Sequence, residues 1–201
     1  MANEDLPLRS PFIKFAFMKP IFLIGYMGSG KTTLGRVLSR QLGYDFIDLD
    51  LFIENRYHKS IKALFAEHGD NGFREIERRI LNEVCDFENT IIACGGGTPC
   101  FFDNMELMNS HGLTIYLHIP IERLFKRLTK PSAKAKRPVI ANKSDEELME
   151  FIRENLQARE MHYQKAVIYF DTTNIETAAE TEVTAAYLKN IIEKYLEKEN
   201  G

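Results

Sequence analysis

The stretch Gly25-Tyr26-Met27-Gly28-Ser29-Gly30-Lys31-Thr32-Thr33 constrains this chain more than any other. It fits the pattern Gly, four residues, Gly, Lys, then Ser or Thr, in which a glycine-rich loop cradles phosphates. An apolar run, Ile21-Phe22-Leu23-Ile24, precedes it and reads as a buried strand. Leu34, Val37, Leu38 and Leu42 follow at helical spacing. Gly25, Gly28 and Gly30 let the backbone curl so that its N–H groups face one anion. The helix N-terminus adds its partial positive charge at the same point. Lys31 can reach the β- and γ-phosphates, and the Thr32 hydroxyl can ligate Mg²⁺. A nucleoside triphosphate site over Gly28, Ser29, Gly30, Lys31, Thr32 and Thr33 is therefore expected.

From there the chain alternates. A short strand ends in Phe46-Ile47-Asp48-Leu49-Asp50, and a helix pair follows through Leu64-Phe65 and Phe73–Val84. Thr90–Ala93 reads as a strand stopped by Gly95-Gly96-Gly97, with a short helix over 103–110. Leu113–His118 is the next strand, and Pro120 opens a helix carrying Leu124 and Leu128. Ser144-Asp145-Glu146-Glu147 is a capping box for a helix to about Ala166, and Val167–Phe170 is a last strand. Positions 184, 187, 188, 191, 192 and 195 mark a final amphipathic helix. Five strands alternating with helices predict an α/β three-layer sandwich on a five-stranded parallel sheet, with right-handed crossovers. Ligands in such sheets bind at the carboxyl ends of the strands. The glycine loop, the Asp48/Asp50 pair and the triple glycine all fall at that edge.

At 201 residues and 44% hydrophobic, the chain can build one such domain, expected over 19–198. A formal charge of −3 leaves no strongly basic face for nucleic acid, and no apolar run reaches the length of a membrane span. Cys85, Cys94 and Cys100 are odd in number and fit neither zinc nor disulfide spacing, which points to reduced thiols and a cytoplasmic setting. Residues 1–18 form an acidic, Pro-interrupted extension with no signal-peptide segment, expected to be poorly ordered, and Met18 is a possible alternative start.

Asp48 and Asp50 lie two apart, so on an extended strand end both would point the same way. One can hold Mg²⁺ through water while the other accepts a proton from an attacking hydroxyl. The bland reading is that Asp50 only caps the next helix. Gly95–Gly97 offers bare N–H groups, or only a tight turn. Arg74, Arg137 and Arg159 are candidate anion clamps, because guanidinium grips a carboxylate or phosphate through two bonds. Glu77, one helical turn beyond Arg74, could hold that arginine in place. Residues 129–143 read as a mobile basic loop: Lys130, Lys134, Lys136 and Arg137 repel one another, and Pro131 and Pro138 oppose a helix.

With these features the chain resembles the shikimate kinase family along nearly its whole length from Lys19. The similarity rests on Gly25–Thr33, Asp48-Leu49-Asp50, Phe73-Arg74-Glu75-Ile76-Glu77, Gly95–Gly97, Lys136-Arg137-Pro138, Arg159 with Tyr163, and Asp171-Thr172-Thr173-Asn174. It implies a P-loop kinase fold with a substrate-binding segment at about 49–80 and a lid at about 129–143. It implies a monomer that uses ATP, with Mg²⁺, to phosphorylate the 3-hydroxyl of shikimate. By the same resemblance Lys31, Asp50 and Arg137 are catalytic. Asp50, Arg74, Gly95, Gly96, Gly97 and Arg159 meet the substrate, Thr32 and Asp48 serve the metal, and Arg127 and Asn174 border the adenine. Glu75 departs from the family, which often has a second basic residue there, and Ala93 replaces a small hydroxyl residue.

Other readings compete. Asn142-Lys143-Ser144-Asp145 matches a guanine-specificity motif, but it follows a basic loop instead of an apolar strand, and no Asp-x-x-Gly accompanies it. A kinase for gluconate or a nucleoside monophosphate would share the phosphate loop and lid without needing both Asp50 and a carboxylate clamp. A catalytically dead binding module is opposed by the presence of Lys31, Thr32, Asp48 and Asp50 together.

Overall fold

The structure, a computed structural model, describes residues 19–199, so the expectations for the N-terminal tail lie outside the described residues. Its strands are β1 (Ile21–Ile24), β2 (Asp45–Asp48), β3 (Thr90–Ala93), β4 (Leu113–His118) and β5 (Ile168–Asp171). They form one parallel sheet in the order β2-β3-β1-β4-β5, with Phe22 of the central strand level with Ile92 and Thr114. Every residue of β1 and β3 is buried, which is why β1 reads as an unbroken apolar run and β3 as one after Thr90.

Strand alternation sorts the core into two layers. On one face Ile21 and Leu23 pack with Leu34 and Leu38 of α1 (Lys31–Leu42) and Leu188 and Ile192 of α8 (Ala178–Glu199). On the other, Phe22 and Ile24 meet α3 (Ile61–Cys85), α4 (Asn104–His111), α5 (Ile121–Leu128) and α7 (Asp145–Tyr163) through Ile80, Met108, Leu124 and Ile152. This is the expected three-layer α/β sandwich. The loops after β1 and β3 emerge side by side at the carboxyl edge, because these strands are neighbours in the sheet. None of the described helices is long and apolar enough to cross a membrane.

Several local expectations change. β2 stops at Asp48, and α2 (Leu49–Tyr57) begins at once. Asp48 has extended backbone and its carboxylate accepts from Leu51 N at 3.4 Å, so Asp48, not Asp50, is the helix cap. Asp50 falls in the first helical turn instead of on a strand end. The 129–143 segment is more structured than its composition suggests. Pro131 opens a short helix, α6 (Pro131–Ala135), where its missing N–H costs nothing. Pro138–Ile140 forms a 3₁₀ turn whose Ile140 is fully buried and anchors the segment. α7 ends at Tyr163, three residues before Ala166. In α8 the buried stripe is Thr181, Ala185, Leu188 and Ile192, while Tyr187 of the expected stripe is exposed. The anticipated helix pair, through Leu64-Phe65 and then Phe73–Val84, is the two halves of α3, which breaks between them at Gly69, where φ is 68°; α2 precedes both.

Candidate active site

The phosphate loop is shaped by two close approaches. Gly30 has φ 97°, and a Cβ there would lie 2.1 Å from Ile175 Cδ1; at Gly25, φ 140°, it would lie 2.7 Å from Leu117 O. The neighbour at Gly25 is backbone and cannot give way, and both positions have a positive φ that side chains rarely adopt, so glycine is what lets the loop curl here. Lys31 lies back across the loop, donating to the carbonyls of Gly25 at 2.7 Å and Tyr26 at 3.0 Å. Burial pulls its ammonium down to about 8, against the opposing pull of Asp50. Thr32 Oγ1 donates to Asp48 Oδ2 at 2.8 Å, so a hydroxyl and a carboxylate oxygen stand together at the start of α1. These hard oxygens suit Mg²⁺, which is held by one or two protein groups plus phosphates and water. Ser29 is fully buried, and its carbonyl accepts from Thr172 Oγ1 at 3.0 Å.

A cavity of about 610 Å³ opens over this loop. Its lining includes Gly28, Lys31 to Thr33, Asp48 and Asp50, Ala93 to Gly96, and the cations Arg127, Lys130, Lys136 and Arg137. Asp50 is open to the water of the cavity yet hemmed in by its wall. Desolvation, then the charges of Glu77 and Asp48, push its carboxyl up to about 6. Three oxygens converge beside Gly95. A Cβ on that glycine would meet Asp50 Oδ1 at 2.9 Å, Thr98 Oγ1 at 3.0 Å and Glu77 Oε1 at 3.2 Å.

The arginines divide into two sets. Arg74 and Arg159 border the triple glycine: a Cβ on Gly97 would meet Arg74 Nη1 at 3.2 Å, and one on Gly96 would meet Arg159 Nη1 at 3.5 Å. Arg74 donates to Glu77 at 2.9 Å, as the helical spacing anticipates. Arg159 lies over the Tyr26 ring at 5.5 Å, and Tyr163 beside it donates to Gly96 O at 2.6 Å. Arg137 and Arg127 instead face the phosphate loop. Arg127 donates to Gly28 O at 3.0 Å and pairs with Glu176 at 3.4 Å. Arg137 is half-buried, donates to Ala133 O at 3.1 Å, and is held below the usual guanidinium range by desolvation.

Asn174 is not brought to this cavity. It lines a neighbouring one of about 730 Å³ with Phe170, Val183 and Tyr187, while Ile175 and Glu176 reach the wall over the phosphate loop. The Ser144 capping box forms as expected, with Glu147 N to Ser144 Oγ at 3.2 Å and Ser144 N to Glu147 Oε2 at 2.8 Å. That leaves Asn142-Lys143-Ser144-Asp145 at a helix start, not at a strand end.

Comparison with known proteins decides the family. The shikimate kinase family model matches residues 27–198. The chain belongs to the shikimate kinase family. It is 50% identical over 177 residues to the shikimate kinase of Phocaeicola vulgatus, covering 88% of this chain and 100% of that one. The crystal structure of shikimate kinase from Bacteroides thetaiotaomicron superposes with a TM-score of 0.84 at 46% identity, covering 89% of this chain and 99% of that one. Shikimate kinase from Acinetobacter baumannii, solved in complex with shikimate, gives a TM-score of 0.74 at 29% identity over 88% and 94% of the two chains.

The two departures from the shikimate kinase pattern sit differently. Glu75 is exposed on α3, whereas Ala93 is buried at the end of β3 and lines the cavity. Sequence reasoning missed Thr98 and Phe101. Thr98 donates to Glu77 Oε1 at 2.6 Å, and the Phe101 ring lies 4.0 Å from the Arg74 guanidinium carbon. A hydroxyl straight after the triple glycine is the only sequence signal for either, and no spacing rule reads it.

Proposed function

We propose that this kinase transfers the γ-phosphoryl group of ATP to the 3-hydroxyl of shikimate through the groups just described. The supporting observation is adjacency: the phosphate loop, Asp50, Gly95 and Gly96 share one cavity, and Arg159 and Arg74 stand against Gly96 and Gly97. The loop from Gly28 to Thr33 and Lys31 hold the phosphates, and Arg127, Ile175 and Glu176 border the base in place of Asn174. Arg74 and Arg159 grip the substrate carboxylate by charge-assisted pairs. Gly95 to Gly97 turn backbone toward the ring hydroxyls.

Asp50 accepts the proton as the hydroxyl oxygen forms its bond to phosphorus and the bond to the β,γ-bridging oxygen breaks, releasing ADP. With its carboxyl near 6, Asp50 is ionised at neutral pH and still basic enough to take that proton. Thr32 and, through water, Asp48 would hold Mg²⁺, which supplies charge neutralisation on the β- and γ-phosphate oxygens. Arg137 faces the position where charge develops, and the lid segment excludes water that could otherwise take the phosphoryl group.

The test is ADP release from MgATP with shikimate, quinate, gluconate and nucleoside monophosphates offered in parallel. Turnover with shikimate is expected. Turnover with a nucleoside monophosphate and none with shikimate would overturn the reading.

A further inference from the structure

A buried polar chain runs from the substrate side of the site into the body of the protein. Glu77 is 1% exposed, and Thr98 and Asn104 are fully buried. Buried polar groups of this kind are costly unless every one is partnered, and here they are. Glu77 Oε2 accepts from Arg74 at 2.9 Å, and its Oε1 accepts from the Thr98 hydroxyl at 2.6 Å. The Thr98 carbonyl accepts from Asn104 Nδ2 at 2.7 Å. Asn104 Oδ1 in turn accepts from Arg78 at 2.8 Å, and Arg78 pairs with Asp103 at 2.7 Å. The chain therefore closes on α3, the helix that carries Arg74 and Glu77.

The same short segment supplies a second contact. Phe101 places its ring 4.0 Å from the Arg74 guanidinium carbon, with Phe65 and Phe73 at 5.4 and 5.3 Å. Arg74 is thus fixed on one side by an ion pair and on its face by an aromatic ring. Without Thr98, Glu77 would keep one oxygen buried and unpartnered, and it could turn away from Arg74 to find another donor.

We infer that Thr98 and Phe101 are positioning residues for the substrate clamp: Thr98 orients Glu77, Phe101 braces the guanidinium, and together they hold Arg74 in the geometry that receives the substrate carboxylate. Asn104 locks the Thr98 turn against α3. This rests on the reading of Arg74 as a shikimate-binding group. It adds that the segment after the triple glycine, through its contacts with Glu77, Arg74 and Asn104, sets affinity for the acceptor alone.

The test uses the full chain with Thr98→Val, Thr98→Ser and Phe101→Leu, measuring kcat, the KM for shikimate, the KM for ATP and Tm. Thr98→Val removes the hydroxyl at nearly constant volume and should raise the KM for shikimate about tenfold, with kcat and the KM for ATP changed less than about twofold. Thr98→Ser restores the donor and should return the KM for shikimate to within about twofold of the unsubstituted enzyme. Phe101→Leu keeps an apolar contact without the ring and should raise the same KM several-fold; it also serves if Thr98→Val does not fold. An unchanged KM for shikimate in both Thr98→Val and Phe101→Leu overturns the inference. So does a parallel rise in both KM values, which marks a merely structural role. If the unsubstituted enzyme binds no shikimate by isothermal titration, the reading of the site falls and takes this inference with it. If it binds and the variants match it, only the positioning role falls.

Discussion

In the proposed reaction Asp50 and Arg159 do different work, and substitutions should separate them. Asp50→Asn keeps the shape but removes the proton acceptor, so kcat should fall about 10²-fold or more while shikimate still binds. Arg159→Ala removes a charge-assisted pair contributing about 1.5–3 kcal/mol, so the dissociation constant for shikimate should rise about ten- to a hundredfold. Steady-state kinetics and isothermal titration on both variants decide this; near-normal kcat in Asp50→Asn would remove the base from the mechanism. The ionisations add a pH profile. Asp50 must be ionised to accept a proton, so kcat/KM should decline below about 6. Lys31 must be charged to meet phosphate, so kcat/KM for ATP should decline above about 8. In kcat the upper limb should move to higher pH, because bound phosphates hold the lysine proton. Stability follows the opposite sign for Asp50. Its carboxyl binds a proton more tightly folded than unfolded, so ionising it costs stability; that cost is absent below 3.8 and complete above about 6. Asp50→Asn should therefore melt higher than the parent at pH 7, with the advantage gone below about pH 4 in thermal scans.

At the scale of elements, residues 129–143 are the segment to test as a lid. Composition predicts a weakly anchored loop, but α6 and the buried Ile140 give 129–143 local structure and an anchor between α5 and α7. Lys130, Lys136 and Arg137 line the cavity from that segment, so like charges face one another until an anion is bound between them. Closure should be favoured in the nucleotide complex. Amide exchange over 129–143 should slow when a nonhydrolysable ATP analogue is added, least at Ile140, which is already buried. Arg137→Ala should lower kcat by roughly 10²-fold with little change in shikimate affinity, as for other donors aimed at a transition state. Exchange indifferent to nucleotide, with normal turnover in Arg137→Ala, would mean the segment is not a lid.

For the whole molecule, both faces of the sheet are already packed by residues from Ile21 to Leu196. A chain begun at Met18 should keep its activity and melt within about 2 °C of the full chain, since no core contact among those residues is removed. A drop of many degrees would show instead that Phe12, Phe15 and Phe17 pack on the body. What could be read directly from the chain was local: the glycine loop, the apolar strands, the capping box and the alternation that forces a parallel sheet. Each of these is set by spacing over a few residues, through steric freedom, periodic burial or a side chain reaching its own backbone. Arg74 with Glu77 was legible for the same reason, being one helical turn apart. Whether Asp48 or Asp50 caps α2 depended on where β2 stops, and that is decided by pairing with β3, far away in sequence. The burial of Ile140, the turn of Asn174 toward the neighbouring cavity, and the contacts of Thr98 and Phe101 with α3 likewise join segments distant in the chain. The α3 contacts span 21 residues from Glu77 to Thr98 in one case, and no periodicity encodes such a meeting. Local physics thus determined the elements and most of the chemistry, while long-range packing alone decided which side chains share one site.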